Sequence, residues 1–180
     1  AAPRLETAYW PVLPGSYWIS TFSHENDIGL LRDDLTGADA GEEIMFDLEL
    51  PIMQRILFLR NLPGFFRKKR SIRRLMESLA ARGVIVSSAE YPPPGPLAAA
   101  LLRFLGVSFS VQGIPYTRIV MYYTSMIPRG WIRTAVEEQL RLDARRYGSR
   151  YQAGVGPIAV GILGDEPVLP PGELENDLAF

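Results

Sequence analysis

At 180 residues the chain is long enough to bury one sizeable core, and 47% apolar against 22% charged residues excludes disorder along its whole length. A net charge of −1 argues against a general nucleic-acid binder, and the lack of cysteine excludes a disulfide framework, a thiolate metal site and a cysteine nucleophile. No run of about eighteen uncharged apolar residues is present to span a bilayer as a helix.

Residues 1–41 lack helical periodicity. Tyr9, Trp10, Tyr17 and Trp18, with Phe22, interleave with Pro11, Pro14 and Gly15, which suits an extended arm pinned by aromatic anchors. The competing reading has these rings capping the domain's own core. The opening Ala-Ala-Pro-Arg4 carries neither Met nor a signal-peptide pattern, so a removed leader or a trimmed start is expected.

From Glu43 to Leu50, Ile44, Phe46 and Leu48 alternate with Met45, Asp47 and Glu49, predicting a strand whose acids share its outward face. A helix is expected from Pro51 to the stop at Pro63-Gly64. Another is expected between a Ser71 N-cap and Gly83, with Ile72, Leu75, Met76 and Leu79 on one face. Val84–Ser88 reads as a short strand, and Tyr91-Pro-Pro-Pro-Gly-Pro96 interrupts the pattern with stiff extended backbone.

Leu97–Leu105 reads as a short buried helix. Val107, Phe109 and Val111 alternate with polar residues and, across Gly113-Ile-Pro115, predict a hairpin with Thr117–Thr124. Thr134-Ala-Val-Glu137 resembles a capping box that opens a helix to about Tyr147. Pro157–Leu163 reads as a last strand, and Gly164–Phe180 as an acidic, Pro-rich tail. The sum is an α+β fold: one compact domain over 42–163, broken by prolines at 92–96, with three to four helices. Its sheet is expected to be small and mixed or antiparallel, with about five short strands, between an arm (1–41) and a tail (164–180).

The sharpest feature is a charge dipole. Nine acidic residues and one basic lie between His24 and Glu49, and nine basic and one acidic between Arg55 and Arg82. Its densest part sets Phe65 and Phe66 beside Arg67, Lys68, Lys69, Arg70, Arg73 and Arg74. That surface suits an anionic membrane or an acidic protein partner, and, less well, nucleic-acid phosphate. Self-pairing of the two halves is the equally weighted plain reading, and it adds little stability per pair.

No Gly-x-Ser-x-Gly elbow, His-Glu-x-x-His pair or Walker lysine is present, and the loop Asp33–Glu43 lacks the alternating oxygen ligands of a calcium loop. No catalytic residue, metal site or cofactor is implied. The sequence points to a non-catalytic accessory or assembly subunit of a larger complex. It would meet other protein subunits through its ends and its basic patch, which suits a membrane-peripheral setting. One alternative is an enzyme or small-ligand binder with a dispersed site, for which Tyr116, Tyr122, Tyr123, Arg118, Arg129 and His24 are first candidates. The other is an RNA-associated subunit.

Overall fold

Short apolar strands alternate with helices along most of the chain, and in the computed structural model this alternation builds a single sheet. The structure describes residues 7–13, 18–50, 60, 62–109, 116–124, 127, 130–155 and 170–178. The elements run β1 (Ala8–Tyr9), α1 (Glu25–Asp34), β2 (Glu43–Asp47), α2 (Phe65–Ala81), β3 (Ile85–Glu90), α3 (Pro96–Leu105), β4 (Tyr116–Met121), α4 (Trp131–Tyr147), β5 (Tyr151–Gly154) and α5 (Pro171–Leu178).

The strands lie in the order β1-β2-β3-β4-β5 and every neighbouring pair is parallel. Parallel pairing needs a crossover between strands, and a helix fills each crossover here. Crossovers of this kind share one hand, so four in the same direction stack their helices on one face of the sheet. The registers put Ile44, Val86 and Tyr116 in one row, and Phe46, Ser88, Arg118 and Tyr151 in the next. Those rows face the helices. Ile44, Phe46 and Val86 share a core with Ile28 and Leu31 of α1 and Ile72, Leu75, Met76 and Leu79 of α2. Val120 and Tyr122 share a second, smaller core with Val136 and Leu140 of α4.

These findings overturn the expected α+β fold with a mixed or antiparallel sheet and three to four helices. The sheet is all parallel, and five α-helices are present among the described residues. The predicted hairpin fails because α3 returns the chain to the starting end of the sheet. β4 therefore enters parallel to β3, and its other edge is taken by β5. Val107 and Phe109 are buried in the main core without being strand. The predicted strand 157–163 and most of the helix expected from residue 51 lie outside the described residues.

Other boundaries shift for local reasons. Within residues 1–41, α1 sends Ile28 and Leu31, with Leu35 beyond it, into the main core. α2 begins six residues before Ser71, at Phe65, after Gly64 has turned the chain at φ +83°. Its apolar repeat is hidden in the sequence because Lys68 takes an inward position between Phe65 and Ile72. Thr134 lies inside α4 rather than capping it, and part of the tail forms α5.

Between the two cores lies a buried charged cluster. Glu90 is 0% exposed and Arg118 is 6% exposed. Arg118 donates from Nε at 3.1 Å and from a terminal nitrogen at 2.6 Å to one Glu90 oxygen. Ser88 and Tyr116 donate to the other oxygen, at 2.8 and 2.5 Å. The same terminal nitrogen of Arg118 reaches Ser108 at 2.9 Å, and its guanidinium lies over the rings of Tyr147 and Tyr151. Burial works against the Arg118 charge, but Glu90 more than offsets it and holds the group protonated. Burial and the adjacent Glu90 likewise push the Tyr116 phenol up, so it stays a donor.

Removing one partner would leave an uncompensated buried charge. Arg118→Met is expected to lower stability by about 3–5 kcal/mol, read by urea unfolding. The double variant Glu90→Leu/Arg118→Met should lose less than the two single changes summed. A cost for Arg118→Met below about 1 kcal/mol would show that the pair does not join the two halves.

Candidate functional site

Two regions of the molecule carry unusual chemistry. The first is a surface formed by α3 and the start of α2. Pro96 opens α3 at its first position after Gly95, and Gly106 ends it at φ +74°. A side chain at Gly106 would run into the methyl group of Thr21. The last carbonyls of α3 have partners from outside the helix. Lys69 donates to those of Arg103 and Phe104 at 2.6 and 2.8 Å, and the Thr21 hydroxyl to that of Leu105 at 2.7 Å.

So fixed, α3 does not bury its whole apolar surface as the sequence suggests. Ala99 is buried and Leu102 and Leu105 pack on the core, but Leu97, Leu101 and Phe104 are 85, 55 and 54% exposed. Their i, i+4, i+7 spacing makes one outward stripe. Phe66 continues it, 68% exposed, with its ring edge-on to Phe104 at 6.2 Å. Phe65, by contrast, is buried against Phe22 and Phe104.

The predicted basic patch divides in the same way. Arg67 pairs with Glu25 of α1, and Arg73 with Glu77 one turn on at 2.8 Å. Lys68 is buried and donates to the Ser23 carbonyl at 3.0 Å, and burial lowers its pKa. Lys69 caps α3. Arg70 and Arg74 are exposed and lie with Arg67 on one stripe of α2. Of the expected arm anchors, Tyr9 and Trp10 are exposed, and the Tyr9 hydroxyl donates to Asp34 at 2.9 Å. Trp18 is half-buried, and Tyr17 lies outside the described residues.

The second region is the C-terminal edge of β2 and β4. Asp47, expected on an exposed face, is 3% exposed at the end of β2, and its Oδ1 is buried without a hydrogen-bond partner. Burial, reinforced by Glu49, pushes its carboxyl up to about 7 from the ordinary 3.8. Tyr123, just beyond β4, is pushed up by burial and by the fields of Asp47 and Glu49.

The dispersed-site candidates separate across these regions. Tyr116 and Arg118 meet in the Glu90 cluster. Tyr122 donates to Glu137 at 2.7 Å, and Arg133 joins that carboxylate at 3.1 Å to Asp177 at 3.0 Å. Thr124 also donates to Asp177, so α5 is tied to β4 and α4. Burial and the Glu137 bond push the Tyr122 phenol up to about 12. His24 is exposed at the start of α1, and Arg129 lies outside the described residues.

Sequence reading missed Asp47 because its burial depends on what lies across the sheet, although its place on an apolar strand was visible. A depression at the N-terminal ends of the first strands, lined by Tyr9, Asp34, Glu42 and Glu43, is less suited to a ligand. Its three carboxylates already accept bonds from Tyr9, the Asp39 amide and Ser87. Among the described residues, no three His, Cys, Asp or Glu side chains converge on a metal position.

Because Asp47 binds its proton more tightly folded than unfolded, stability contributed there falls as pH rises from about 4 to 7. Asp47→Asn is expected to match the parent near pH 4 and to exceed it at pH 8 by roughly 2–4 kcal/mol, read by urea unfolding across pH. Parallel pH profiles for the two proteins would contradict this placement of the carboxyl.

Compared with known protein families, curated proteins and solved structures, the chain matches none of them.

Proposed function

We propose that the chain is a non-catalytic accessory subunit that docks on an anionic membrane surface through the outer face of α3 and the start of α2. The observation that carries this reading is the exposed stripe Leu97, Leu101, Phe104 and Phe66, with the exposed Arg70 and Arg74 on the same helix as Phe66. Water is a poor neighbour for four large apolar side chains gathered on one surface. Full burial of each contributes about 1.5–3 kcal/mol. A cation near an anionic surface adds about 1 kcal/mol, so insertion supplies affinity and the arginines supply attraction to charge.

Further support comes from the capping of α3. A helix held by Lys69, Thr21 and Gly106 presents its stripe as a fixed face and needs no ordering at the surface. Among the described residues no helix is long and apolar enough to cross a membrane, so the reading concerns docking alone. The cations of α2 also suit an acidic protein, but an aromatic–leucine stripe beside arginines is the composition of an interfacial helix.

The full chain should co-sediment with vesicles containing phosphatidylserine. Leu97→Glu and Leu101→Glu should each weaken that binding at least tenfold without unfolding the protein, since both side chains face water. Arg70→Glu/Arg74→Glu should weaken binding to anionic vesicles, and 0.5 M salt should do the same. Failure of the parent chain to bind such vesicles, or unchanged binding by Leu97→Glu and Leu101→Glu, would overturn the lipid reading. Loss of self-association in those variants would assign the stripe to a protein contact instead.

A further inference from the structure

Leu97, Leu101 and Phe104 are not alone in turning large apolar side chains to water. On α4, Trp131 is 77% exposed and Leu142 is 51% exposed. Their spacing is close to three full turns, which puts both on one side of the helix, about 16 Å apart. Val136, Gln139, Leu140 and Asp143 are buried on the opposite side. Arg145 and Arg146, both exposed, follow Leu142 by three and four residues and so flank the outward stripe. The exposed Glu138 also lies on it, leaving two cations against one acid. Arginines in a last turn complement the helix dipole, but the dipole gives no reason for Trp131 and Leu142 to face water.

The fold turns this stripe toward the same side as the α3 face. Phe46, Ser88 and Arg118 share one row across the sheet. Phe46 belongs to the core covered by α1 and α2, and Leu102 and Leu105 of α3 pack on that core. Arg118, in the same row, lies against the ring of Tyr147 at the end of α4, 5.3 Å from its centre. α3 and α4 therefore cover one face of the sheet, and their outward sides look away from it together. Twist between neighbouring strands, about 20–25°, tilts the two stripes by a similar small angle, which one broad surface can meet. The acids of α1 belong to the β1–β2 end of the sheet. An anionic surface repels that end and so brings α4, at the β4–β5 end, closer.

We propose that the outward stripe of α4 is a second contact with the anionic membrane, in which Trp131 and Leu142 enter the interfacial layer and Arg145 and Arg146 meet lipid phosphates. This contact rests on docking through α3. Tryptophan suits the position, because its ring is apolar and its indole N–H can bond at the level of the headgroups. Guanidinium groups pair with phosphate oxygens through two parallel N–H bonds. Two stripes on separate helices fix the angle of the molecule against the surface, whereas one stripe alone leaves it free to rock about α3. Once α3 is docked, α4 meets the lipid as part of the same molecule, so its contribution multiplies the affinity of the first contact.

The test follows tryptophan emission in the full chain carrying Trp10→Phe and Trp18→Phe, which leaves Trp131 as the sole tryptophan. Vesicles of phosphatidylcholine and phosphatidylserine should shift that emission to the blue, and the same lipids brominated on their acyl chains should quench it. In the otherwise unaltered chain, Trp131→Ser/Leu142→Ser should weaken co-sedimentation with these vesicles about fivefold or more. Its thermal unfolding midpoint should match the parent's, since both side chains face water. Arg145→Glu/Arg146→Glu should weaken binding to the anionic vesicles and leave binding to pure phosphatidylcholine unchanged. Unshifted and unquenched Trp131 emission from vesicle-bound chain, or parent-like binding by Trp131→Ser/Leu142→Ser, would overturn the α4 contact. Docking through α3 survives that result if Leu97→Glu and Leu101→Glu still lose binding, whereas a chain that binds no vesicle overturns both.

Discussion

Taking Glu90 and Arg118 out of water costs several kcal/mol per ion before any bond between them forms. The fold meets that cost by surrounding both ions with partners. Ser88 and Tyr116 complete Glu90, Ser108 and two tyrosine rings complete Arg118, and each comes from a different position along the chain. The cluster therefore ties β3 to β4, to the segment after α3, and to the α4–β5 end. On one side of it lies the core of β2, β3, α1 and α2, and on the other that of β4 and α4. Apolar packing alone would let two such cores slide, because hydrophobic burial has no direction. A fully partnered ion pair does have direction, and it fixes where one half sits against the other.

The strand order has a consequence for where chemistry can sit. Doubly wound sheets bind ligands at the point where strand order reverses and helices part to opposite faces. Among the described residues this sheet runs from β1 to β5 without a reversal, so its strands show no such crevice. What remains at the carboxyl edge are residues just at or past the strand ends: Asp47 and Glu49, then Tyr123 and Thr124. Thr124 is drawn into the Asp177 contact, and Tyr123 is left beside the two acids. The helix-covered face is filled by the two cores and the ion pair, and the outer surface of α3 is one place where several apolar side chains meet water together.

Much of the secondary structure was legible. The alternation from Ile44, the Gly83 and Gly148 stops and the Pro-rich break before α3 all stand where periodicity and turn residues place them. Strand direction was not legible. Val107, Phe109 and Val111 carry the pattern of a hairpin strand, but pattern reports burial, and two of them are buried as loop. Reading strand, helix, helix, strand as a crossover would have pointed to parallel pairing, since a helix between two paired strands returns the chain to its starting edge. Lys68 hid the start of α2 for the opposite reason: its long side chain fills an inward position while its ammonium finds a carbonyl. The candidate sites were half legible. Phe66 and its neighbouring cations could be read from composition, but the exposure of Leu97 and Leu101 and the isolation of Asp47 depend on three-dimensional neighbours.

The charge dipole changes meaning once its members are placed. Arg67 answers Glu25, Arg82 donates to the carbonyls of Leu35 and Thr36 just past α1, and Lys68 and Lys69 are committed to carbonyls of Ser23 and α3. Much of the basic run thus joins α2 to α1 and α3, and the acidic run is in part its partner. An exposed pair such as Arg67–Glu25 contributes at most about 1 kcal/mol, so these contacts set geometry more than stability. What the dipole leaves outward is smaller than the sequence implies, chiefly Arg70 and Arg74, and it borders an apolar stripe that charge counting does not reveal. Two arginines give about 2 kcal/mol at an anionic surface, less than the full burial of Leu97 and Phe104 alone. Docking of the kind proposed would therefore be hydrophobic in strength and electrostatic in selectivity.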